Sequence, residues 1–430
     1  MSSTLRLTGG IDVGNGYVKG VIHNDDTAVL DRIDLPSAVM ATPSASPRVP
    51  LDDASAADVM RATDPDFYNR LDAALSTPLI GDSDRRMFGR AALTSRGSKL
   101  TEFDVHQGHD SKAEQYLSKV LVLGVFAAKA LRDHVRTHGV LPDHELRVNV
   151  RAGLALPISE YVTRRHAYAA DFLGVTGDPA VHLVTIKNFS TPVSVRLRFV
   201  DVQVIAEGAS AQFAITDHGE PLAAALLADL RSREPGLLEG ITPADLVGVR
   251  NTIGIDIGEG TANFAVFGGG RFNPEASTTL GMGYGTVLLN AMERLEQAGL
   301  RFTSRKQLAD FLQVTPSALQ RSRHRRAVAL VEPDIKYLVE AVASRFAEVL
   351  AATGEASEAV YVYGGGSGPI KEQLYPALRT VAGEVPVLYL DPAYSRHLNR
   401  EGLYLAARNV AGRAAASPPA PRRSRAQVAV

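Results

Sequence analysis

The sequence contains no cysteine among its 430 residues. This absence excludes disulfides, thiol catalysis and cysteine-ligated zinc or iron–sulfur centres, and it fits a reducing compartment. The formal net charge is −1, so the chain as a whole does not attract nucleic acid or anionic membranes, and any such binding needs a local patch. No run approaches the ~18–20 apolar residues that cross a bilayer, and the first residues lack the pattern of a signal peptide. We therefore expect a cytoplasmic protein.

The rest of the composition is that of an ordinary globular protein, with 45% hydrophobic and 22% charged residues. Hydrophobic periodicity predicts strands, a long helix, further strands and a helix, and this order returns after residue 250. Such a repeat indicates a duplicated α/β architecture. The predicted elements include helical regions over 111–138, 301–330, 333–353 and 398–411, and two separate strands in SVRLRFV and VQVIAEG.

Nearly the same seven residues occur twice, as GIDVGNG at 10–16 and as GIDIGEG at 254–260. Each copy places an aspartate, Asp12 or Asp256, after an apolar strand and before a Gly-x-Gly turn and a returning strand. The glycines would let the hairpin backbone approach an anion and take positive φ, and inward N–H groups would cradle phosphate oxygens. The aspartate would supply a hard oxygen for Mg²⁺, directly or through water. Two such loops facing each other would grip a polyphosphate.

One Asp-Gly-x-Gly hairpin alone would be interpreted as a plain β-turn. Two copies, each between two strands, make a chance match a poor explanation. The glycine pattern of dinucleotide-binding proteins fits less well, because its glycines lead directly into a helix. The repetition itself therefore favours a nucleotide site.

Three further features are ambiguous when each is taken alone. Lys19 could reach a β- or γ-phosphate as a point charge, or face solvent from its strand. Glu207, in VIAEGASA, could orient a water for phosphoryl transfer, or favour the start of a helix. The turn in YVYGGGSG, Gly364 to Gly366, has no side chains to obstruct a base or ribose, although three-glycine turns are common.

Five stretches in this order resemble the motifs of the actin, heat-shock chaperone and sugar kinase superfamily: GIDVGNGYVK, VIAEGASA, GIDIGEGTANF, YVYGGGSG and LNREGLYLAA. Within it, the sequence is most similar to ParM/StbA-like plasmid-segregation actins and their archaeal relatives, with GLALPISEY as an additional point of resemblance. The resemblance implies an α/β fold of duplicated actin-like (ribonuclease H-like) domains with a nucleotide cleft between them.

The resemblance also implies a division of the chain. Domain I would span 1–205, and domain II would span 206–397. An inserted subdomain IB would cover 36–100, and a subdomain IIB would cover 290–335. A helix over 398–411 would return to domain I, followed by a disordered basic tail over 412–430.

The functional residues implied by the resemblance surround one MgATP. Asp12 and Asp256 would hold Mg²⁺ through water and act in catalysis together with Glu207, which would position the attacking water. The nucleotide would contact Gly14, Asn15, Gly16, Tyr17, Lys19, Gly258, Gly260, Thr261, Gly364, Gly365 and Gly366. Glu401 and Gly402 would help join the two halves. Glu259 departs from the family pattern, and we expect its carboxylate to turn away from the phosphates.

The function implied by the resemblance is that of an actin-like ATPase whose slow hydrolysis is coupled to polymerisation. Its partners would be further copies of itself in a filament and a DNA-binding adaptor that links the filament to plasmid DNA for segregation. Direct contact with membranes or DNA is not expected. The alternatives are a small-molecule kinase and a chaperone-like reactivating ATPase that does not polymerise, and the choice between ATP and GTP stays open.

A basic stretch, LQRSRHRRAV at 319–328, carries Arg321, Arg323, Arg325 and Arg326, within a basic region over 301–326. Its simplest interpretation is a solvated helix face. It could instead touch DNA, or meet an acidic region on a neighbouring subunit that contains Asp52, Asp53, Asp58, Asp64 and Asp66.

Overall fold

The computed structural model of the protein describes residues 4–43, 49–80, 85–95, 100–103, 111–175, 177–353 and 356–416. Two large β-sheets with helices on their faces organise these residues, one sheet in each half of the chain. No helix among the described residues is long and apolar enough to cross a membrane.

The described residues of the first half form twelve strands and four helices. The strands are β1 (Leu5–Val13), β2 (Tyr17–Asn24), β3 (Leu30–Pro36), β4 (Ala38–Thr42), β5 (Asp72–Ser76), β6 (Arg85–Phe88), β7 (Leu100–Glu102), β8 (Leu146–Leu156), β9 (Gly174–Val175), β10 (Asp178–Pro179), β11 (His182–Ile186) and β12 (Val193–Ala206). The helices are α1 (Ala56–Ala62), α2 (Gly89–Thr94), α3 (Tyr116–His138) and α4 (Ile158–Leu173), with a 3₁₀ turn at Pro65–Arg70. Ten of the strands form one sheet in the order β3-β2-β1-β8-β12-β11-β5-β6-β4-β7, and β9 pairs with β10.

In the second half, six strands and eight helices are present among the residues that the structure describes. The strands are β13 (Thr252–Ile257), β14 (Ala262–Gly268), β15 (Arg271–Phe272), β16 (Thr278–Leu280), β17 (Ala359–Tyr363) and β18 (Val387–Tyr389). The helices are α5 (Ala209–Arg233), α6 (Pro243–Gly248), α7 (Tyr284–Gln297), α8 (Arg305–Gln313), α9 (Arg321–Thr353), α10 (Lys371–Ala382), α11 (Pro392–Ser395) and α12 (Leu398–Ala416), with a 3₁₀ turn at Gly368–Ile370. The strand order is β15-β14-β13-β17-β18, and β16 pairs with β14.

The two sheets repeat one local topology. β1 pairs antiparallel with β2 and parallel with β8, just as β13 pairs antiparallel with β14 and parallel with β17. The register is also the same, because Asp12 lies opposite Lys19 and Asp256 lies opposite Asn263. The duplication predicted from the repeated heptapeptide is therefore present in the tertiary structure.

The second sheet has a hydrophobic core on each face. Side chains alternate between the faces of a strand, so Val360 and Val362 of β17 pack in the core with α7, α9 and α10, whereas Tyr361 and Tyr363 pack in the core with α5 and α6. The helices α9 and α5 consequently lie on opposite faces of this sheet.

Several predicted elements differ from the observed ones. The two strands predicted in SVRLRFV and VQVIAEG are one strand, β12, because a bulge between Phe199 and Asp201 shifts the register without ending the pairing. The helix predicted over 111–138 begins only at Tyr116.

The helical region predicted over 301–330 is divided into α8 and the first turns of α9, which the stretch 314–320 separates. Helix α9 then continues through Pro333 into the helix predicted over 333–353, because apolar residues on both sides of the proline, such as Val331 and Leu338, pack in one core.

The predicted last helix, 398–411, continues in the structure to Ala416. The added residues, Gly-Arg-Ala-Ala-Ala, are mostly strong helix formers. The remainder of the predicted basic tail, 417–430, lies outside the described residues.

Helix α12 packs backbone to backbone against both halves of the molecule. A Cβ at Gly10 of β1 would overlap the backbone of Tyr404, and one at Gly153 of β8 would overlap that of Leu403. On the other side, a Cβ at Gly402 would overlap the Ser210 carbonyl oxygen of α5. Glycine is needed at these positions because only a residue without Cβ allows such close approach. The adjacent Glu401 carboxylate lies 3.0 Å from His218 Nε2, also on α5.

We predict that Gly402→Ala lowers the free energy of unfolding by about 1–3 kcal/mol, because the added methyl group forces α12 away from α5. Urea unfolding of the nucleotide-free protein measures the change. Gly248→Ala is the matched control, since nothing lies within 4 Å of a Cβ at that helical glycine, and there we expect no loss or a gain of up to ~1 kcal/mol. Equal stability of the two variants would contradict the close packing of α12.

Candidate functional site

The two Asp-Gly hairpins line one cleft between the halves of the molecule. Its volume is about 1040 Å³. The lining includes every site residue predicted from the sequence: Asp12, Gly14, Asn15, Gly16, Tyr17, Lys19, Glu207, Asp256, Gly258, Gly260, Thr261, Gly364, Gly365 and Gly366. Residues far apart in the sequence are thus brought to one place.

The two turns are built alike. The Gly14 N–H donates to the Tyr17 carbonyl at 3.0 Å, and the Gly258 N–H donates to the Thr261 carbonyl at 2.9 Å. The first turn is also held by Ser37, whose Oγ donates to the Gly14 carbonyl at 2.5 Å. These hydrogen bonds fix both turns before any ligand is present.

The expected positive φ of the turn glycines is wrong for Gly14, Gly16 and Gly258, none of which has it. Close approach explains the glycines instead. A Cβ at Gly16 would overlap the carboxylate of Glu259, and one at Gly14 would lie 3.0 Å from the Tyr17 carbonyl oxygen. Glycine is therefore found at these two positions because neighbouring atoms lie where a Cβ would be.

The sequence led us to expect that the Glu259 carboxylate turns away from the phosphates. In the structure Glu259 instead lines the cleft. Its carboxylate lies against Gly16 of the opposite turn, and Arg305 Nη1 of α8 lies 3.4 Å from its Oε2. The extra negative charge is thus balanced by an arginine, and the ion pair connects the second turn to α8.

Asp256 is buried and held by α12. Asn399 Nδ2 donates to Asp256 Oδ2 at 2.7 Å, while Asn399 Oδ1 accepts from Ser210 Oγ at 2.8 Å. Burial raises the pKa of Asp256 to about 7; the Asn399 hydrogen bond opposes the rise, and the charges of Asp12 and Glu207 add to it. Ionising this carboxylate is therefore costly, chiefly because it is removed from water.

Glu207 is fixed by a lysine that sequence reasoning missed. Lys112 Nζ donates to Glu207 Oε1 at 2.5 Å, and Asn263 Nδ2 donates to its Oε2 at 3.3 Å. The loop that carries Lys112 is itself held by Glu160 of α4, which accepts from the Lys112 N–H at 3.0 Å. Burial opposes the charge on Lys112, but Glu207 and Asp12 outweigh it, and the pKa of Lys112 is raised.

Lys19 and Asn263 occupy equivalent positions in the two hairpins, each opposite the aspartate of the strand with which its own strand pairs. Lys19 lines the cleft, and its Nζ is 4.0 Å from the position of a Cβ at Gly365. Of the two interpretations of Lys19, the structure thus favours a cation directed across the cleft over one on a solvent-facing strand.

The three-glycine turn packs against the second Asp-Gly turn. The Gly366 N–H donates to the Ile257 carbonyl at 2.8 Å, and a Cβ at Gly366 would lie 2.8 Å from the Gly258 carbonyl oxygen. Gly364 has a φ of 95°, and a Cβ there would overlap Asp256 Oδ1. Close packing accounts for two of the glycines, and the third, Gly365, faces the cleft.

Comparison with known proteins gives no match to a protein family model and none to a curated protein. Solved structures do match over nearly the whole chain. The actin-like protein Alp7A has a TM-score of 0.62 at 15% identity and covers 96% of this chain and 98% of its own. Bacillus thuringiensis ParM with ADP has a TM-score of 0.57 at 15% identity, covering 94% and 99%. An archaeal actin homologue, Ta0583, has a TM-score of 0.57 at 13% identity, covering 95% and 100%.

The chain has the actin fold. The fold class predicted from the motifs, duplicated actin-like α/β domains, is thereby confirmed, and the structural neighbours are the archaeal actin homologues and ParM-type proteins that the motifs resemble. At these identities the likeness concerns the fold, so the activity has to be argued from the residues of the cleft.

The raised pKa of Asp256 gives the protein a pH-dependent stability. An aspartate has an ordinary pKa of 3.8, so between this value and about 7 the folded chain retains a proton that the unfolded chain has lost. Stability from this group is full below about pH 4 and is lost as the pH rises through about 7.

We predict that Asp256→Asn, which stays uncharged, becomes more stable relative to the unaltered protein as the pH is raised from about 5 to about 8, by on the order of 1 kcal/mol per pH unit up to the folded pKa. Urea unfolding of the nucleotide-free proteins at each pH measures the difference. Asp245→Asn is the control, because hydrogen bonds with Thr242 lower the pKa of Asp245; this group is ionised in both the folded and the unfolded chain above about pH 5, so its difference from the unaltered protein should stay constant over the same range. Parallel curves for Asp256→Asn would contradict the assignment.

Proposed function

We propose that this protein is an ATPase that binds MgATP in the cleft and polymerises into filaments, which serve the segregation of plasmid DNA. The observation that carries the proposal is the pair of equivalent Asp-Gly turns lining one cleft, with Glu207 beside them. ADP is bound in the solved ParM structure that shares the fold. In this proposal ATP closes the cleft and favours contacts between subunits, and hydrolysis weakens them.

The residues of the cleft divide by their chemistry. Backbone N–H groups of the two turns and Lys19 would bind the phosphates, and the Gly364–Gly366 turn would face the adenosine. Asp12 and Asp256 would hold Mg²⁺ through water, and the negative charge that raises the pKa of Asp256 fits a divalent cation there. Bound Mg²⁺ would offset charge on the phosphates. Glu207, fixed through both carboxylate oxygens, would orient the attacking water.

The biological part of the proposal is segregation through an adaptor. ParM and Alp7A, two structural neighbours, are plasmid-segregation actin-like proteins. By resemblance to them we propose a cytoplasmic filament whose ends bind a DNA-binding adaptor protein, without direct contact between this chain and DNA or membrane.

Electron microscopy and sedimentation of the purified protein, with MgATP, MgADP and a non-hydrolysable ATP analogue, test the proposal. We expect filaments with MgATP and the analogue, and their loss with MgADP. Phosphorylated product from a panel of small-molecule substrates, without large assemblies at any protein concentration, would favour a kinase and contradict the proposal. Release of a bound client protein on nucleotide exchange, again without filaments, would favour a reactivating ATPase.

We predict that Asp256→Ala abolishes ATP hydrolysis, whereas Glu259→Ala retains it, because Asp256 faces the proposed metal and Glu259 pairs with Arg305. Phosphate release under saturating MgATP measures the rates. Loss of hydrolysis in both variants would mean that Glu259 belongs to the catalytic machinery, contrary to the proposal.

We also predict a positioning role for Lys112. Lys112→Met should lower kcat by about 100-fold with little change in KM, because Glu207 loses the cation that fixes it, and small misplacements of a reacting group cost about this much. Lys112→Arg should restore part of the rate. Lys119→Met is the matched control, since Lys119 of α3 pairs with Asp171 at 2.6 Å and not with Glu207. An increase in KM alone would show that Lys112 serves binding and not positioning.

A further inference from the structure

The basic stretch seen in the sequence forms an exposed tip, which we name the arginine tip, residues 314–326 between α8 and the first turns of α9. Val314 is 63% exposed and Leu319 is 97% exposed. Four exposed arginines follow, Arg321, Arg323, Arg325 and Arg326. The tip thus combines apolar side chains with concentrated positive charge.

The charge of the arginine tip is not neutralised within the described part of the chain. The acidic residues that flank the tip in the sequence pair with other cations: Asp310 with Lys306, Glu332 with Lys336 and Asp334 with Arg294. Among the described residues, none of the four arginines lies within ion-pair distance of a carboxylate. An acidic surface on another molecule is therefore the complementary partner.

The arginine tip has a defined shape. His324 Nε2 lies 3.2 Å from the Leu312 carbonyl oxygen, and the Arg323 guanidinium lies 5.8 Å from the centre of the Phe311 ring. Because these contacts tie α9 to the end of α8, they limit the backbone freedom that is lost when a partner binds.

The acidic partner suggested by the sequence does not fit. Asp58 pairs with Arg61, Asp64 pairs with Arg70 at 2.6 Å, and Asp66 pairs with Arg90. Asp53 accepts hydrogen bonds from Ser190. Since its own cations already neutralise most of this acidic region, it offers little net charge to the arginine tip of a neighbour.

A second acidic surface lies on α5, at a kink where Gly219 leaves helical geometry with φ 57° and ψ −143°. We name residues 213–220 the acidic kink. Phe213 is 41% exposed, and Asp217 and Glu220 are exposed without an ion pair to any described residue.

The two surfaces complement each other but lie on opposite faces of the second sheet. The arginine tip belongs to the α7–α9 face and the acidic kink belongs to the α5–α6 face. One molecule therefore cannot join its own two surfaces across the sheet, whereas two copies can. A contact between two different surfaces repeats from copy to copy and yields an open chain when it does not close into a ring.

We propose that the arginine tip of one copy binds the acidic kink of the next, with the arginines facing Asp217 and Glu220. This inference rests on the proposed function, because it names the contact that builds the filament. A contact between opposite charges is weakened by salt, so assembly should weaken as salt is added.

The test uses charge reversals in the full chain. The tip variant is Arg321→Glu with Arg325→Glu, and the kink variant is Asp217→Lys with Glu220→Lys. Each should raise the protein concentration needed for MgATP-dependent sedimentation by at least about tenfold, because like charges then face each other. The control Arg198→Glu with Arg271→Glu changes the net charge as the tip variant does at exposed sites elsewhere, and it should assemble normally.

Two combinations make the test specific. The chain with all four reversals should assemble by itself again, because the two new carboxylates of the tip then face the two new lysines of the kink. An equimolar mixture of the tip variant and the kink variant should form filaments in which the two variants alternate, since the intact tip of one meets the intact kink of the other and the reversed tip meets the reversed kink. Unchanged nucleotide binding in every variant shows that the cleft is intact.

The outcomes separate this inference from the proposed function. If the unaltered protein fails to assemble with MgATP, both fail. If the unaltered protein assembles and the two variants assemble as well as it does, only the contact between tip and kink is overturned. The same conclusion follows if the fourfold variant stays monomeric. Loss of binding to double-stranded DNA by a tip variant that still assembles would identify the tip as a surface for polyanions and would equally overturn the inference.

Discussion

The backbone contact of α12 with both halves of the molecule is the constraint on which the cleft depends. Gly10 and Gly153 allow the helix to pack closely against the first sheet, and Gly402 allows α5 to pack closely against the helix. The same helix supplies Asn399, which holds Asp256 in place. A single element therefore joins the two halves and orients a carboxylate of the site, so its packing and the chemistry of the cleft are not independent.

The molecule is built from two equivalent halves, and its chemistry comes from the positions where they differ. Lys19 and Asn263 are equivalent in register, yet one brings a cation into the cleft and the other donates a hydrogen bond to Glu207. Glu259 likewise brings a carboxylate to the second turn, where Arg305 balances its charge. Duplication thus supplies two matching frames, and substitutions within them supply the asymmetry that a site for a directional reaction needs.

The electrostatics of the cleft fit the proposed ligand. Burial raises the pKa of Asp256 to about 7, and the charges of Asp12 and Glu207 add to the rise. Lys112 offsets part of this charge by pairing with Glu207. A magnesium nucleotide would bring a cation to the remaining carboxylates and phosphates to Lys19 and the turn N–H groups, so the site is prepared for both components together.

Much of the frame could be predicted from the sequence, because its signals are local. An apolar strand, Asp-Gly-x-Gly and a second strand lie within a few residues of one another, and their repetition predicted the two turns and the duplication. The assignment of Lys19, Glu207 and Gly364 to Gly366 to the site came only from the resemblance to the actin superfamily. The reasons for the glycines could not be predicted, since Gly16 and Gly366 are required by parts of the chain more than a hundred positions away. Lys112, which meets Glu207 across 95 positions, and Asn399, which meets Asp256 across 143, carry no local pattern. Only the tertiary structure decided which charges are neutralised, because pairing depends on which side chains the fold brings within a few ångströms.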